Sequence, residues 1–354
     1  MMMIEIDGSQ GEGGGQVLRT SLSLAALLGR EMVIRNIRAG RKKPGLAAQH
    51  VTCCRAVAEV CGGQIEGAEL GSQTIHLRPA AITGGEYEFD VAAVRPSAGS
   101  VCLVLQSILP VLALAPQVST VVVSGGTDVP WSPPYAYLAN TFRAVLSRYG
   151  VGLDLRRDRA GFFPVGRGRV EMHVEPVSEL SPFSLVERGE LCKAIVASTV
   201  ADDLSEEIAG RQNRAAAALL DIAGLRAELE EYYLRSSSPG TSCVVSVFYE
   251  RGYGGFTALG KRGRPAEDVG EEAARGALEF VASAGAVDSH LADQLVLYMA
   301  LASGRSELRT TQITEHLRTN IAVAEAITGA RMTVGQNGYV VVEGIGLAVN
   351  KGSQ

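Results

Sequence analysis

The segment Thr314-Glu315-His316-Leu317-Arg318-Thr319-Asn320-Ile321 places a histidine where an apolar-periodic helix begins. Leu317, Ile321, Ala324 and Ile327 follow at helical spacing, and Gly329 is a stop signal. The imidazole therefore stands near the positive end of a helix dipole, which favours bound anions and disfavours imidazolium. A neutral ring facing a phosphate is a candidate nucleophile for covalent nucleotidyl transfer. The plainer alternative is a surface or capping histidine.

A second chemical segment is Asp7-Gly8-Ser9-Gln10-Gly11-Glu12-Gly13-Gly14-Gly15-Gln16, which opens another helix. Glycine-rich turns before helix starts cradle phosphate through backbone N–H groups. The spacing matches neither a Walker A motif nor a dinucleotide fingerprint. Glu12 would repel phosphate unless Mg²⁺ or Mn²⁺ lay between them, and otherwise it is a solvated turn residue. Arg19 sits one turn inside an otherwise apolar helix, a position that calls for an anionic partner. Arg35, Arg38, Arg41, Lys42 and Lys43 form the clearest basic patch, suited to a nucleic-acid end or else simply a solvated loop. Gln106 is the main polar group in an apolar helix and needs partners there. His290, Asp293 and Gln294 share one helical face opposite Leu291, Leu295 and Met299, as a nucleotide contact or as plain surface. Lys261-Arg262-Gly263-Arg264 could be a loop or a phosphate contact, with the loop slightly favoured.

The 354 residues carry a formal net charge of -5, which excludes indiscriminate coating of nucleic acid. Hydrophobic content is 46% but aromatic content only 5%, so the core must be built from Ala, Val, Leu and Ile. The six cysteines form no C-x-x-C pair and mostly sit among apolar residues, which suggests a reducing compartment. The run Val101 to Ala115 is too short to span a bilayer. With no signal-peptide layout, the expectation is a soluble cytoplasmic protein without a membrane or an obligate protein partner.

The elements that position these residues recur. One copy runs from a strand at Met32 through a basic loop into a helix at about Ala47 to Val60, then two strands. Another runs from Thr120 to Ser124 through Gly125-Gly126-Thr127-Asp128 into a helix at about Tyr135 to Arg148, then two strands. The last has a strand at Glu307 to Thr310, the His316 helix and two closing strands. Helices Gln16 to Leu28, Val101 to Ala115 and His290 to Ala302 precede the copies. The expectation is an α/β (α+β) fold of three βαβαββ units around a pseudo-threefold axis. Residues 1–184 and 283–354 would form this main domain, with 185–282 a smaller inserted α/β domain.

Taken together, Asp7-Gly8 to Gly15-Gln16, Arg38-Ala39-Gly40-Arg41 with Pro44-Gly45, Ser124 to Asp128, His290 to Gln294 and His316 to Asn320 resemble the RNA 3′-terminal phosphate cyclase family, in order and across essentially the whole chain. The resemblance implies ATP-dependent conversion of an RNA 3′-phosphate into a 2′,3′-cyclic phosphodiester through a covalent His–AMP adduct, releasing AMP and pyrophosphate. By that resemblance His316 is the nucleophile and Glu12 the carboxylate linked to Mg²⁺ or Mn²⁺. Arg19, Arg38, Arg41 and Gln49 contact phosphates. Gln106 and the segment His290, Leu291, Ala292, Asp293, Gln294 belong to the ATP site, with Phe256 and Pro133 beside adenine. His290 stands where some members carry tyrosine. Competing readings are a non-enzymatic cyclase-like protein of ribosome assembly, expected to lack the histidine, an enolpyruvyl transferase, expected to have six units, and an RNA-binding module with no chemistry.

Overall fold

The computed structural model describes residues 3–348. The ends of the expected main domain, residues 1–2 and 349–354, lie outside the described residues.

Three four-stranded sheets share one connection pattern. The first unit is β1 (Ile4–Asp7), α1 (Gly15–Leu27), β2 (Met32–Arg35), α2 (Ala48–Val60), β3 (Gln64–Glu66) and β4 (Ile75–Arg78), with sheet order β1-β2-β4-β3. The second is β5 (Glu86–Asp90), α3 (Val101–Ala113), β6 (Ser119–Gly125), α4 (Arg143–Arg148), β7 (Gly152–Arg159) and β8 (Gly168–Glu175), ordered β5-β6-β8-β7. The third opens with β9 (Ser184–Leu185), whose continuation comes about a hundred residues later.

A fourth sheet intervenes. Its strands are β10 (Leu191–Ala201), β11 (Ala227–Leu234), β12 (Thr241–Tyr249) and β13 (Gly252–Leu259), ordered β11-β10-β12-β13, with α5 (Glu207–Ile222) and α6 (Ala266–Ala282). The third unit then resumes with α7 (Ser289–Leu301), β14 (Ser303–Arg309), α8 (Glu315–Thr328), β15 (Arg331–Val334) and β16 (Tyr339–Ile345), ordered β9-β14-β16-β15. In each of the three repeated sheets the first pair is parallel and the other two pairs are antiparallel.

The sequence reading found the helices and most strands but missed the opening strands β5 and β9, and β13 entirely. The expected insert boundary at residue 185 falls inside β9, which pairs with β14. The helix expected from Tyr135 opens as a wider π turn over Tyr137–Phe142 before α4.

Helix ends are set by local chemistry. Ser100 Oγ accepts the Leu103 N–H at 3.2 Å to start α3, and Thr314 Oγ1 accepts the Leu317 N–H at 3.1 Å to start α8. Gly329, at φ 75°, ends α8 in the left-handed region. Asp288 starts α7 by accepting the His290 and Leu291 N–H groups at 2.8 and 2.9 Å. Helix α3 is apolar on nearly every side and accordingly buried, with Gln106 half-buried. One continuous apolar core joins α1, α2, α3, α7 and α8 to the three repeated sheets, while α5, α6 and the fourth sheet enclose a core of their own.

Two cores meet at a buried ion pair. Arg157 Nη1 lies 2.6 Å from Asp128 Oδ2, with both side chains almost wholly inaccessible. Ser242 Oγ donates to Asp128 Oδ1 at 2.7 Å, and Arg157 Nη2 donates to Thr199 Oγ1 at 2.7 Å. The second sheet is thereby tied to the fourth by a buried charged network in which both terminal nitrogens of Arg157 are paired.

Candidate active site at the start of helices α1, α7 and α8

The first turn of α1 has no side-chain cap and no acidic residue, so its N–H groups stay open to a ligand. Gly14 and Gly15 keep it open. A Cβ on Gly15 would stand 2.4 Å from His50 Nε2 and 2.9 Å from Arg19 Nη1. One on Gly14 would stand 2.9 Å from Arg41 Nη2 and from Glu12 Oε2. Three cationic or donor side chains thus converge where a side chain is missing, a cradle fitted to phosphate.

His316 stands at the rim of this cradle on the first turn of α8. Its Nδ1 lies 3.0 Å from Glu12 Oε2 and hydrogen-bonds Gln16 Oε1 as well. Gln16 is oriented by donating its Nε2–H to Asp293 Oδ1 at 3.2 Å. Both atoms facing Nδ1 are acceptors, so Nδ1 carries the proton and Nε2 keeps its lone pair. Burial, opposed by the Glu12 charge, holds the imidazole below its usual pKa, with His290, Arg19 and Arg41 pushing the same way. The ring is neutral at neutral pH and its side chain 46% exposed, as a nucleophile requires.

Behind this, α1, α7 and α8 are pinned together. Thr20 Oγ1 donates to Asn320 Oδ1 at 2.8 Å, and Asn320 Nδ2 donates to the Asp293 carbonyl at 2.6 Å. The Glu12 N–H donates to Thr319 Oγ1 at 3.2 Å. Burial and the neighbouring Asp288 carboxylate push Asp293 up to about 8, against the Arg19 charge and the Gln16 hydrogen bond.

The remaining expected residues divide. Among the described residues the Arg19 guanidinium has no hydrogen-bond or ion-pair partner, and burial lowers its pKa despite its attraction to Cys53, Asp293 and Glu12. Arg41 is ion-paired with the Glu12 carboxylate and reaches the Glu12 carbonyl at 3.3 Å. Arg38, at a left-handed φ of 54°, donates to the Gly45 carbonyl at 2.6 Å, which shapes its own loop. Gln49 Oε1 accepts the Ser100 N–H at 2.8 Å and so joins the starts of α2 and α3. Gln106 Nε2 donates to Gln294 Oε1 at 2.9 Å, bringing two of the expected ATP residues together from α3 and α7. His290 is exposed at the start of α7. Leu291 and Ala292 have fully buried side chains, leaving only their backbone for a ligand. Phe256 packs on Phe280 with ring centroids 5.6 Å apart, in the core under the fourth sheet. Pro133 is half-buried in the loop after β6. Arg264 is ion-paired with Glu272 at 2.6 Å, as a structural loop residue would be.

Sequence reasoning missed three residues. His50 follows Gln49 directly, is 5% exposed, and accepts the Ala47 N–H at Nδ1. Its proton is therefore on Nε2, aimed at Gly15. Burial, then the Arg19 and Arg38 charges, push it down to about 3, so it is a neutral donor. Asp288 is buried and accepts the Gly255 N–H at 3.0 Å besides capping α7. Gln16 stands in the glycine-rich motif, but only the fold shows that it bridges His316 and Asp293. The Asp-Ser-His spacing at the start of α7 was the available signal for Asp288.

Among the described residues no three His, Cys, Asp or Glu side chains are grouped to hold a metal. Glu12 is nonetheless a half-buried carboxylate beside the phosphate cradle. One such carboxylate plus substrate phosphates is an ordinary way to hold Mg²⁺.

A sequence model of the family described as RNA 3′-terminal phosphate cyclase matches residues 10–334. The chain is similar to proteins named RNA 3′-terminal phosphate cyclase. In Methylococcus capsulatus the identity is 44% over 94% of this chain and 93% of the relative. In Pyrobaculum neutrophilum it is 40% over 98% and 99%, and in Trichormus variabilis 42% over 96% and 98%. With a family model matching most of its length and relatives of this identity and coverage, the chain belongs to the RNA 3′-terminal phosphate cyclase family.

Proposed function

We propose that this enzyme converts an RNA 3′-terminal phosphate into a 2′,3′-cyclic phosphodiester at the expense of ATP, with His316 carrying AMP between the two steps. The observation that carries the reading is the tautomer at His316, whose Nδ1–H is held by Glu12 and Gln16.

His316 Nε2 attacks the α-phosphorus of ATP. An N–P bond forms, the α–β P–O bond breaks, and pyrophosphate leaves. Arg19, the His50 Nε2–H and the open N–H groups of α1 stabilise the phosphate charge through this step. An oxygen of the RNA 3′-phosphate then attacks the adenylyl phosphorus and frees His316. This gives the terminal phosphate a good leaving group, which a monoester lacks. The ribose 2′-oxygen attacks the activated 3′-phosphorus, AMP leaves, and the hydroxyl proton passes to solvent.

Gln106, Gln294 and His290 fit the nucleoside of ATP, with Phe256 and Pro133 beside the adenine. Arg38, Arg41 and Gln49 line the approach to the cradle, and Arg38 and Arg41 supply positive charge for the RNA end. Glu12 would hold a Mg²⁺ or Mn²⁺ ion, which would supply positive charge at the cradle. On the same reading 1–184 and 283–354 form the catalytic domain and 185–282 the insert. No helix among the described residues is long and apolar enough to cross a membrane. Six free cysteines, five of them buried, fit a reducing cytoplasmic setting.

The test is the conversion of a 3′-phosphorylated oligoribonucleotide in the presence of ATP. The reading requires an ATP-dependent product that resists phosphatase and carries a cyclic phosphate by ³¹P NMR. An end that stays sensitive to phosphatase at every ATP concentration contradicts it.

A further inference from the structure

A cavity of about 290 Å³ lies between β7 and β11, the facing edge strands of the second and fourth sheets. It is near the lower end of the size range of small-molecule pockets. Tyr135, Asn140 and Arg143 line it from the segment after β6, Asp154 from β7, and Glu230 and Tyr232 from β11. None of these belongs to the cradle at His316.

Arg157 also lines the cavity. Its side chain is 2% exposed and its guanidinium lies 4.4 Å from the Tyr135 ring centroid. Its two terminal nitrogens are satisfied by Asp128 and Thr199, but its Nε is buried without a hydrogen-bond partner. Buried charged donors are normally paired. Half-buried Asn140 likewise bonds through neither end of its amide among the described residues. Tyr232 is 38% exposed. The cavity therefore offers donors, acceptors and an aromatic face together.

The charge balance narrows the ligand. Asp154 and Glu230 oppose a free polyanion inside, while the polar lining disfavours a purely apolar guest. A nucleobase fits both restrictions, being planar and carrying donors and acceptors on one edge. Arg143 spends its Nε on the Ala139 carbonyl at 2.7 Å, leaving its exposed terminal nitrogens at the cavity for a phosphodiester. Tyr137, on the same turn as Asn140, places its hydroxyl 3.4 Å from Asp288, the residue that starts α7. The cavity and the start of α7 thus share one segment of chain.

We propose that this cavity binds a nucleotide of the RNA strand upstream of the terminal two, stacking the base on Tyr232 and reading its edge with Asn140. The proposal rests on the RNA reading above. It makes length and sequence of the strand matter to an enzyme whose chemistry is confined to the last nucleotide.

Full-length Tyr232→Ala, Tyr232→Phe and Asn140→Ala are compared with the unsubstituted protein on a 3′-phosphorylated dinucleotide and decanucleotide. Binding of a 3′-hydroxyl decanucleotide by fluorescence anisotropy serves as a readout independent of chemistry. Tyr232→Ala raises KM and Kd for the decanucleotide about fivefold to a hundredfold, the range for one lost base–aromatic stack. KM for the dinucleotide and AMP labelling of His316 stay unchanged, and Tyr232→Phe retains decanucleotide binding. An unchanged decanucleotide Kd in both alanine variants overturns the proposal, as does an equal loss on both substrates. Competition for the cavity by free AMP, with no effect of strand length, assigns it to a free nucleotide and overturns it too. Failure of the cyclase reading shows separately, as absent cyclisation in the unsubstituted protein while decanucleotide binding is still measured.

Discussion

Glu12 Oε2 stands 3.0 Å from His316 Nδ1, so a carboxylate from the first turn-loop of the chain sets the tautomer of a histidine near its other end. The Glu12 charge raises the histidine pKa against burial, which lowers it. Removing that charge in Glu12→Ala therefore extends AMP labelling to lower pH. It also slows labelling about tenfold to a hundredfold, the loss of one charge-assisted hydrogen bond of about 1.5–3 kcal/mol. Labelling rates across the acid range check both effects, and an unmoved acid limb would detach Glu12 from the histidine.

Arg19 and Arg38 should separate. Arg19 is the cation at the cradle whose guanidinium has no hydrogen-bond or ion-pair partner among the described residues, whereas Arg38 is partly spent on the Gly45 carbonyl. Arg19→Ala should slow adenylylation about tenfold to a hundredfold, with a smaller effect for Arg38→Ala. Single-turnover labelling with ATP measures this, and equal effects would mean that the two guanidinium groups are used alike.

Asp293 makes stability fall with pH. Its folded pKa of about 8 lies above the ordinary 3.8, so the folded chain holds a proton that the unfolded chain releases between those values. The group's contribution is fully present below 3.8 and is lost as pH rises through 8. Asp293→Asn keeps an acceptor for Gln16 and cannot ionise, so its Tm should decline less between pH 5 and 9. Thermal denaturation across that range is the measurement, and parallel Tm curves would refute the shift.

Asp128→Ala leaves Arg157 charged and buried. Breaking such a pair costs roughly 3–5 kcal/mol, so chemical denaturation should show a loss of that order, felt in both the second and fourth sheets. A loss under about 1 kcal/mol would mean that water reaches Arg157 readily.

What could be read from the chain was what is local. Thr314, Leu317, Ile321 and Gly329 announce α8 because caps and helical periodicity act within a few residues. Strands β5 and β9 escaped because one is largely polar and the other is two residues long, each defined only by its parallel neighbour. The motifs supply most of the candidate residues, but not their wiring. Gln16 meets His316 across 300 positions and Asp293 across 277, distances that no local pattern spans. Nothing local in the basic loop foretells that Arg41 meets the Glu12 carboxylate in the folded chain. His50 was passed over because its tautomer and its burial exist only once α1 and α2 pack together.

The central claim is that His316 Nε2 takes AMP from ATP. The direct measurement is incubation of the protein and of His316→Ala with α-labelled and γ-labelled ATP, followed by mapping of the modified residue. The account predicts an acid-labile adduct on His316 from the α-label alone, and none on the variant. An adduct retained by folded His316→Ala, or label arriving from the γ-phosphate, would contradict it.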